Sequence, residues 1–103
     1  MIHVVAMITT LAGKRAEVLA AFLANVPAVL AEDGCIEYTA TVDAADFAPS
    51  KGSLGEDGFA VVEKWASIAA LQAHAASPHM AAYAAKTRPL LANRVIHVLE
   101  AAA

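Results

Sequence analysis

Two-residue periodicity in the apolar positions predicts four strands along the chain. Residues 2–10 place Ile, Val, Ala and Ile on one side and His, Val, Met and Thr on the other. Residues 58–66 and 94–100 alternate in the same way, and residues 35–42 are rich in Thr, Tyr and Ile, which favour strands. Because both sides of the first strand are largely apolar, we expect both faces of the sheet to be covered.

Apolar positions three and four residues apart predict a long helix over residues 14–32. Val18, Phe22 and Val29 lie along one side of that helix and form part of its apolar stripe. Gly34 follows the last apolar position, and we expect it to end the helix in the left-handed conformation.

The second helical region is predicted to be broken in two. Ser67 can cap a helix over residues 68–76, and Pro78 fits the first turn of another helix that ends near residue 90. Before this region, residues 43–57 are rich in Asp, Gly and Ser and predict a long loop that is either mobile or functional.

The order of these elements predicts a ferredoxin-like α+β fold. The pattern βαββαβ gives a four-stranded antiparallel sheet with helices on one face. A chain of 103 residues suits one domain, so we expect residues 1–103 to form it. The uncovered sheet face would then be apolar, and a homodimer that packs two such faces together would bury it.

Composition and charge narrow the partners and the compartment. Hydrophobic residues make up 59% of the chain and charged residues 17%, which supports burial of surface against a second copy. The net charge of −3 argues against nucleic acid as a partner, since that would require a basic surface. No apolar run is long enough to span a membrane and no signal peptide is recognisable, so we expect a cytoplasmic protein with no membrane partner. Cys35 is the single cysteine, which excludes an internal disulfide.

Four short motifs carry the most specific family signal. They are Glu-Asp-Gly-Cys at residues 32–35, Glu63-x-Trp65-x-Ser67, Leu71-x-x-His74 and Ser77-Pro78-His79. Together with the surrounding pattern, they resemble the antibiotic biosynthesis monooxygenase (ABM) family, and within it the small bacterial quinol monooxygenases. The resemblance implies a dimeric α+β barrel with a pocket between the sheet and the helices. It also implies oxygenation of phenols or quinols by O2 without metal, flavin or haem.

Related haem-degrading enzymes of this fold carry an Asn on the first strand, a Trp on the third and a His on the late helix. Trp65 matches this pattern. Ala6 occupies the Asn position and Tyr83 the His position. This departure argues against haem degradation.

Three residues are candidates for proton transfer in a quinol oxygenation. An ionised hydroquinone is a strong enough reductant to pass an electron to O2, so the protein needs a suitable base. His74 and His79 are the first candidates, because the break at Pro78 can bring them to the same side. Glu63 is the third, if its strand face points toward the helices. Each could instead be structural, as a capping or hydrogen-bonded core residue.

Four aromatic residues are candidates for binding a small aromatic substrate. Trp65 and Phe59 share the strand face of Glu63, and Tyr83 is predicted to project from the last helix toward the pocket. Tyr38 lies in the middle of the second strand. Its hydroxyl could donate a hydrogen bond to a quinol oxygen, or its ring could pack in the core or the dimer interface.

The same pattern is compatible with other functions. A dimeric ligand-binding or stress-response module would use the pocket without chemistry, and a small isomerase would use the bases without O2. Glu63, His74 and His79 could also form a metal site with two His and one carboxylate, but their spacing matches no i, i+4 pair of ligands. Because the family resemblance also implies chemistry without a metal or an organic cofactor, we predict that the protein uses neither.

Overall fold

A computed structural model describes residues 1–46 and 52–103 and shows a four-stranded sheet with helices on one face. The predicted order βαββαβ is confirmed, as is the break in the second helical region. In the described part of the chain, no helix combines the length and apolarity needed to cross a membrane. In chain order the elements are β1 (Ile2–Thr10), α1 (Arg15–Leu30), β2 (Cys35–Thr41), β3 (Gly58–Trp65), α2 (Ile68–Ala75), α3 (Pro78–Thr87), a 3-10 turn (Arg88–Leu90) and β4 (Leu91–Leu99).

The strands lie in the order β2-β3-β1-β4, and every neighbouring pair is antiparallel. This is the predicted ferredoxin-like α+β arrangement, in which β3 lies between the parallel strands β1 and β2. Residues directly opposite one another on neighbouring strands share a face of the sheet. On the helix-covered face, three rows therefore cross β3, β1 and β4, namely Glu63–Val4–Val98, Val61–Ala6–Ile96 and Phe59–Ile8–Arg94.

Packing of α1 against the sheet forms the core. Val18, Phe22 and Val29 are buried along one side of α1, as the predicted apolar stripe requires. On the sheet side, Phe59 and Trp65 are completely buried. Burying a Val or Phe side chain contributes roughly 1.5–3 kcal/mol to the free energy of unfolding. These contacts hold α1 firmly on the sheet.

The opposite face of the sheet, which we call the bare face, carries apolar side chains with no helix over them. Met7 and Val95 lie opposite each other on β1 and β4, as do His3 and Leu99. Met7, Val95 and Leu99 are all more than a third exposed. Within residues 1–46 and 52–103, the helices therefore cover one face of the sheet and not the other.

Two predicted boundaries are wrong. β4 begins at Leu91 rather than at residue 94, because Leu91 pairs with Thr10 beyond a register shift in β1. The helix α1 ends at Leu30, so Gly34 lies in the turn beyond the helix cap instead of ending the helix. Gly34 does adopt the expected left-handed conformation, with a φ of 83°.

The predicted loop over residues 43–57 is described only at its two ends, since residues 47–51 lie outside the described residues. Those ends are joined by Asp43. Its carboxylate oxygens accept hydrogen bonds of 2.9 Å from the backbone N–H groups of Leu54 and Gly55. These hydrogen bonds therefore hold the two described ends of the loop together.

Candidate active site

A cavity of about 550 Å³ lies between the helix-covered face of the sheet and the helices α2 and α3. Pockets for small molecules typically span about 300–1,000 Å³, so this cavity is large enough for a two-ring aromatic compound. Most of its lining is apolar. The polar and charged lining residues are Tyr38, Glu63, Gln72, His74, Tyr83, Thr87, Arg88 and Arg94.

Glu63 places a buried carboxyl group at one end of the cavity. The side chain is 7% exposed, and its Oε1 atom accepts a hydrogen bond of 2.9 Å from the indole Nε1–H of Trp65. Burial raises the pKa of Glu63, while the Trp65 hydrogen bond and the charge of His74 act in the opposite direction. A carboxylate with a raised pKa in an apolar cavity is suited to accept a proton.

His74 and His79 meet at one carboxylate oxygen. Nδ1 of His74 lies 2.8 Å from Oε2 of Glu32, and Nε2 of His79 lies 2.9 Å from the same atom. The two histidines therefore do lie on the same side, as the break at Pro78 suggested. The carboxylate that they share belongs to the Glu-Asp-Gly-Cys motif, whose Glu32 had no role in the sequence-based interpretation.

The turn after α1 brings Glu32 to the two histidines. Gly34 in this turn has a left-handed φ, and a Cβ atom there would lie 2.6 Å from the Cβ of Ala70 in α2. Only glycine fits so close an approach in this conformation. Cys35 then starts β2, with its N–H donating to the carbonyl of Glu32 over 3.2 Å. The turn can therefore lie against α2 with Glu32 beside His74.

Local capping fixes the helices that carry the histidines. The Oγ atom of Ser67 accepts a hydrogen bond of 3.1 Å from the N–H of Ala70, which confirms the predicted cap of α2. Ser77 closes the other end by donating its hydroxyl to the carbonyl of His74 over 2.7 Å. Pro78 occupies the first position of α3, where its missing N–H leaves no helical bond unmade. His74 and His79 thus lie on either side of a well-defined break.

The shared carboxylate is held in its ionised form. Partial burial raises the pKa of Glu32, but hydrogen bonds from His74 and His79 outweigh this effect and leave the pKa below its ordinary value. An ionised carboxylate can only accept hydrogen bonds, so both facing ring nitrogens carry a proton. In a neutral His74 ring with its proton on Nδ1, the Nε2 atom is left free to accept a proton.

The same donor atoms could hold a metal ion. One donor atom from each of Glu32, His74 and His79 lies within 4.8 Å of the others. Two imidazoles and a carboxylate suit zinc or non-haem iron. The carboxylate in this cluster is Glu32 and not Glu63, the residue considered from the sequence, because Glu63 is hydrogen-bonded to Trp65.

Aromatic rings form one wall of the cavity. Tyr38 stacks on Phe22 with ring centroids 4.8 Å apart, and Tyr83 meets the same ring edge-on at 6.2 Å. Both tyrosines line the cavity, and burial raises the pKa of each phenol. The hydroxyl groups therefore stay protonated near neutral pH and can donate hydrogen bonds to a bound oxygen atom.

Phe59, Trp65 and His79 do not line the cavity in the described part of the chain. Phe59 and Trp65 are completely buried in the layer behind it. The Trp65 and His74 ring centroids lie 4.5 Å apart, so Trp65 supports both His74 and Glu63 from behind. These residues can influence a bound molecule only through the side chains that line the cavity.

Arg88 and Arg94 line the cavity, and the sequence-based analysis missed both. Arg94 belongs to the row that contains Phe59, two rows away from Glu63. A signal for Arg94 was present in the sequence, because it shares the two-residue period of Ile96 in the last strand. Arg88 lies in the 3-10 turn, which no periodicity predicted.

The chain is similar to several known proteins over nearly its whole length. Over 102 residues, the chain is 38% identical to the probable quinol monooxygenase YgiN of Escherichia coli K12, with 97% of each chain covered. The structure of PA3566 from Pseudomonas aeruginosa is 26% identical, with a TM-score of 0.81 over 99% of this chain and 94% of that one. Rv0793 from Mycobacterium tuberculosis is 25% identical, with a TM-score of 0.82 over 99% of this chain and 95% of that one. The family model described as antibiotic biosynthesis monooxygenase matches residues 1–86. The chain belongs to the antibiotic biosynthesis monooxygenase family.

Proposed function

We propose that the protein is a monooxygenase that oxidises a quinol or a similar polyphenol with O2 and uses no metal or organic cofactor. Family membership and the quinol monooxygenase named among its relatives support this reaction class. The observation that carries the proposal is the arrangement of apolar and proton-accepting groups in the cavity. An apolar space wide enough for two aromatic rings ends at a carboxylate with a raised pKa and a histidine backed by a second carboxylate.

The reaction needs no cofactor because the substrate is itself the reductant. A base removes a proton from one hydroxyl of the quinol, and the resulting anion passes one electron to O2. The semiquinone and superoxide then combine at a ring carbon to form a peroxide. Loss of water across the O–O bond and the adjacent C–H bond gives a hydroxyquinone. In sum, one quinol and one O2 give one hydroxyquinone and one water.

In this mechanism His74 and Glu63 handle the proton at the substrate. Both line the cavity, and Glu32 holds the Nδ1–H of His74 so that Nε2 is the free base. His79 acts on the substrate indirectly. It donates a second hydrogen bond to Glu32, which keeps that carboxylate ionised and in place. A base ordered in this way needs little reorganisation when the proton moves.

The aromatic residues are assigned to substrate binding. Tyr38 and Tyr83 offer ring faces and protonated hydroxyls to the quinol. Phe59 and Trp65 contribute indirectly, since they are packed behind the cavity and hold its sheet wall in place. Exclusion of water by these apolar walls protects the radical pair from side reactions.

We also propose that two copies associate through the bare face. Met7 and Val95 are exposed apolar residues opposite each other on this face, and Leu99 is exposed on the same face beyond His97. Exposed apolar surface of this kind is usually buried in an interface. A homodimer with its sheets packed face to face would place the two cavities on opposite outer sides.

The test is O2 uptake by metal-stripped protein. Menadiol is mixed with the protein without air, air is then admitted, and O2 uptake is compared with the autoxidation of menadiol alone. We expect uptake well above that blank, with hydroxylated product and no effect of a chelator. Uptake equal to the blank with menadiol and a panel of phenols would instead favour a binding module. Exchange of a carbon-bound proton without O2 would favour an isomerase.

A further inference from the structure

The cavity is cationic at the end opposite its proton acceptors. Arg94 begins the cavity-facing side of β4, and Arg88 starts the 3-10 turn that precedes this strand. Among the described residues, the ion pairs involve Lys64, His74 and His79, so neither arginine is neutralised by a neighbouring carboxylate. Because both guanidinium groups line the same apolar cavity, together they can bind an anion.

The strand register gives the distance between the two ends. Glu63 and Val98 lie in the same row, two strands apart, and Arg94 lies four residues before Val98 on β4. Strands lie about 4.8 Å apart and rise about 3.3 Å per residue, so the Cα atoms of Glu63 and Arg94 are separated by about 16 Å. The cavity that spans this separation has a volume of about 550 Å³, which is large enough for a naphthalene ring system with a substituent at each end.

The middle of the cavity is apolar. The row between the two ends consists of Val61, Ala6 and Ile96. Tyr83 lies toward the cationic end, where the Arg94 charge partly offsets the increase in its phenol pKa that burial causes. Along its length the cavity therefore presents proton acceptors, an apolar floor and then two positive charges. Within the described lining, Glu63 is the sole acidic residue, and it lies far from the arginines.

We propose that the substrate is an anionic quinol of naphthalene size, with a carboxylate on the ring edge opposite the reacting hydroxyl. Arg88 and Arg94 hold the carboxylate through charge-assisted hydrogen bonds, and this contact directs the distal hydroxyl to Glu63 and His74. The inference rests on the proposed function for the identity of the reacting group. The anion site itself depends only on the two arginines.

A binding experiment tests the anion site without turnover. The probe is 6-hydroxy-2-naphthoate, which carries a hydroxyl and a carboxylate at opposite ends of a rigid ring system, and its methyl ester is the neutral comparison. We expect calorimetry at low salt to give an affinity at least about tenfold higher for the acid than for the ester. Arg94→Gln and Arg88→Gln should each reduce this preference, and the double variant should remove it. Lys86→Gln makes the same charge change at an exposed position of α3 outside the cavity lining, and it should keep the preference.

The outcomes separate this inference from the proposed function. Equal affinity for acid and ester, no binding of either, or an equal effect of Lys86→Gln would overturn the anion site. A second measurement compares O2 uptake with 1,4-dihydroxynaphthalene and with its 6-carboxylate. Equal uptake with equal KM would overturn the anionic substrate and leave the oxygenase standing. Preferential binding of the acid probe without O2 uptake from either quinol would overturn the oxygenase and leave the anion site standing.

Discussion

Oε2 of Glu32 lies 2.8 Å from Nδ1 of His74, although the two residues are 42 positions apart in the chain. The same oxygen lies 2.9 Å from Nε2 of His79. Because the shared carboxylate is ionised and accepts a hydrogen bond from each ring, it determines which nitrogen of His74 is free at the cavity.

Glu32→Gln should therefore lower turnover while leaving substrate binding in the cavity largely unchanged. A glutamine has one acceptor oxygen and two donor hydrogens, so it cannot reliably hold both imidazole rings in the required tautomer. We expect kcat to fall about 10- to 100-fold, with little change in KM. The measurement is steady-state O2 uptake, and Asp33→Asn, which removes the same charge from the exposed neighbour, is the control. Equal losses in the two variants would contradict a specific role for Glu32.

His74→Ala and His79→Ala should differ in effect. His74 lines the cavity, so its loss should lower kcat by about 100-fold or more, the usual contribution of a general base. His79 reaches the substrate only through Glu32, so its loss should cost less activity. Both variants should keep the oligomeric state of the wild type, measured by light scattering. Unchanged turnover in His74→Ala would show that His74 is structural.

Glu63→Gln should raise stability and lower activity. Burial raises the folded-state pKa of Glu63 above its value of 4.5 in the unfolded chain, so the folded state binds more protons between these two pKa values. The wild type should therefore lose stability as the pH rises through that window. The amide can still accept the Trp65 hydrogen bond but has no charge to desolvate. We expect Tm at pH 7–8 to rise by a few degrees, on the order of 4–8 °C per kcal/mol, with no gain below pH 4. Calorimetry at both pH values checks this, and a Tm decrease at pH 7–8 would contradict it.

Gly34→Ala and Gly13→Ala form a matched pair. Both glycines have positive φ, but a Cβ at Gly13 has nothing within 4 Å, whereas one at Gly34 meets Ala70 at 2.6 Å. Gly13→Ala should cost about 1 kcal/mol of unfolding free energy, from backbone conformation alone. Gly34→Ala should cost about 1–3 kcal/mol more and also reduce turnover, because the turn carries Glu32. Urea unfolding gives both values, and equal losses would show that the close approach to α2 is unimportant.

The proposed homodimer can be tested with a charge on the bare face. Val95→Asp places a carboxylate opposite Met7 in the centre of this apolar surface, where burial against a second copy would be unfavourable. We expect the variant to be monomeric at micromolar concentration, by sedimentation velocity. Leu23→Asp, at an exposed apolar position of α1, is the control and should remain dimeric. A wild-type protein that is monomeric at the same concentration would contradict the proposed homodimer.

The fold could be predicted from the sequence because each element carries its own local signal. Alternation in residues 2–10 predicted the strand but not which face packs on the helices, because both faces are largely apolar, and the Ser67 cap marked the start of α2. The start of β4 could not be predicted, since Leu91 enters the strand through pairing with Thr10 and not through its own sequence pattern.

The candidate site was predictable only where strand parity decides it. Parity predicted that Glu63 shares a strand face with Phe59 and Trp65, but only the structure shows that this face points toward the helices and places Glu63 in the cavity lining. The partner of the histidines depends on a turn that comes from a distant part of the chain, so a lone Glu32 in a helix-ending motif gave no indication of its role. Parity alone also could not separate a fully buried Trp65 from a cavity-facing one.

The position of Trp65 makes it an intrinsic fluorescence probe of the candidate site. Trp65 is the single tryptophan of the chain, it is shielded from solvent, and its indole donates to Glu63 beside the ring of His74. Imidazolium and protonated carboxyl groups quench indole emission more strongly than their deprotonated forms do. The emission intensity of the unlabelled wild type against pH will therefore report the ionisation of Glu63, the carboxyl group to which the indole donates.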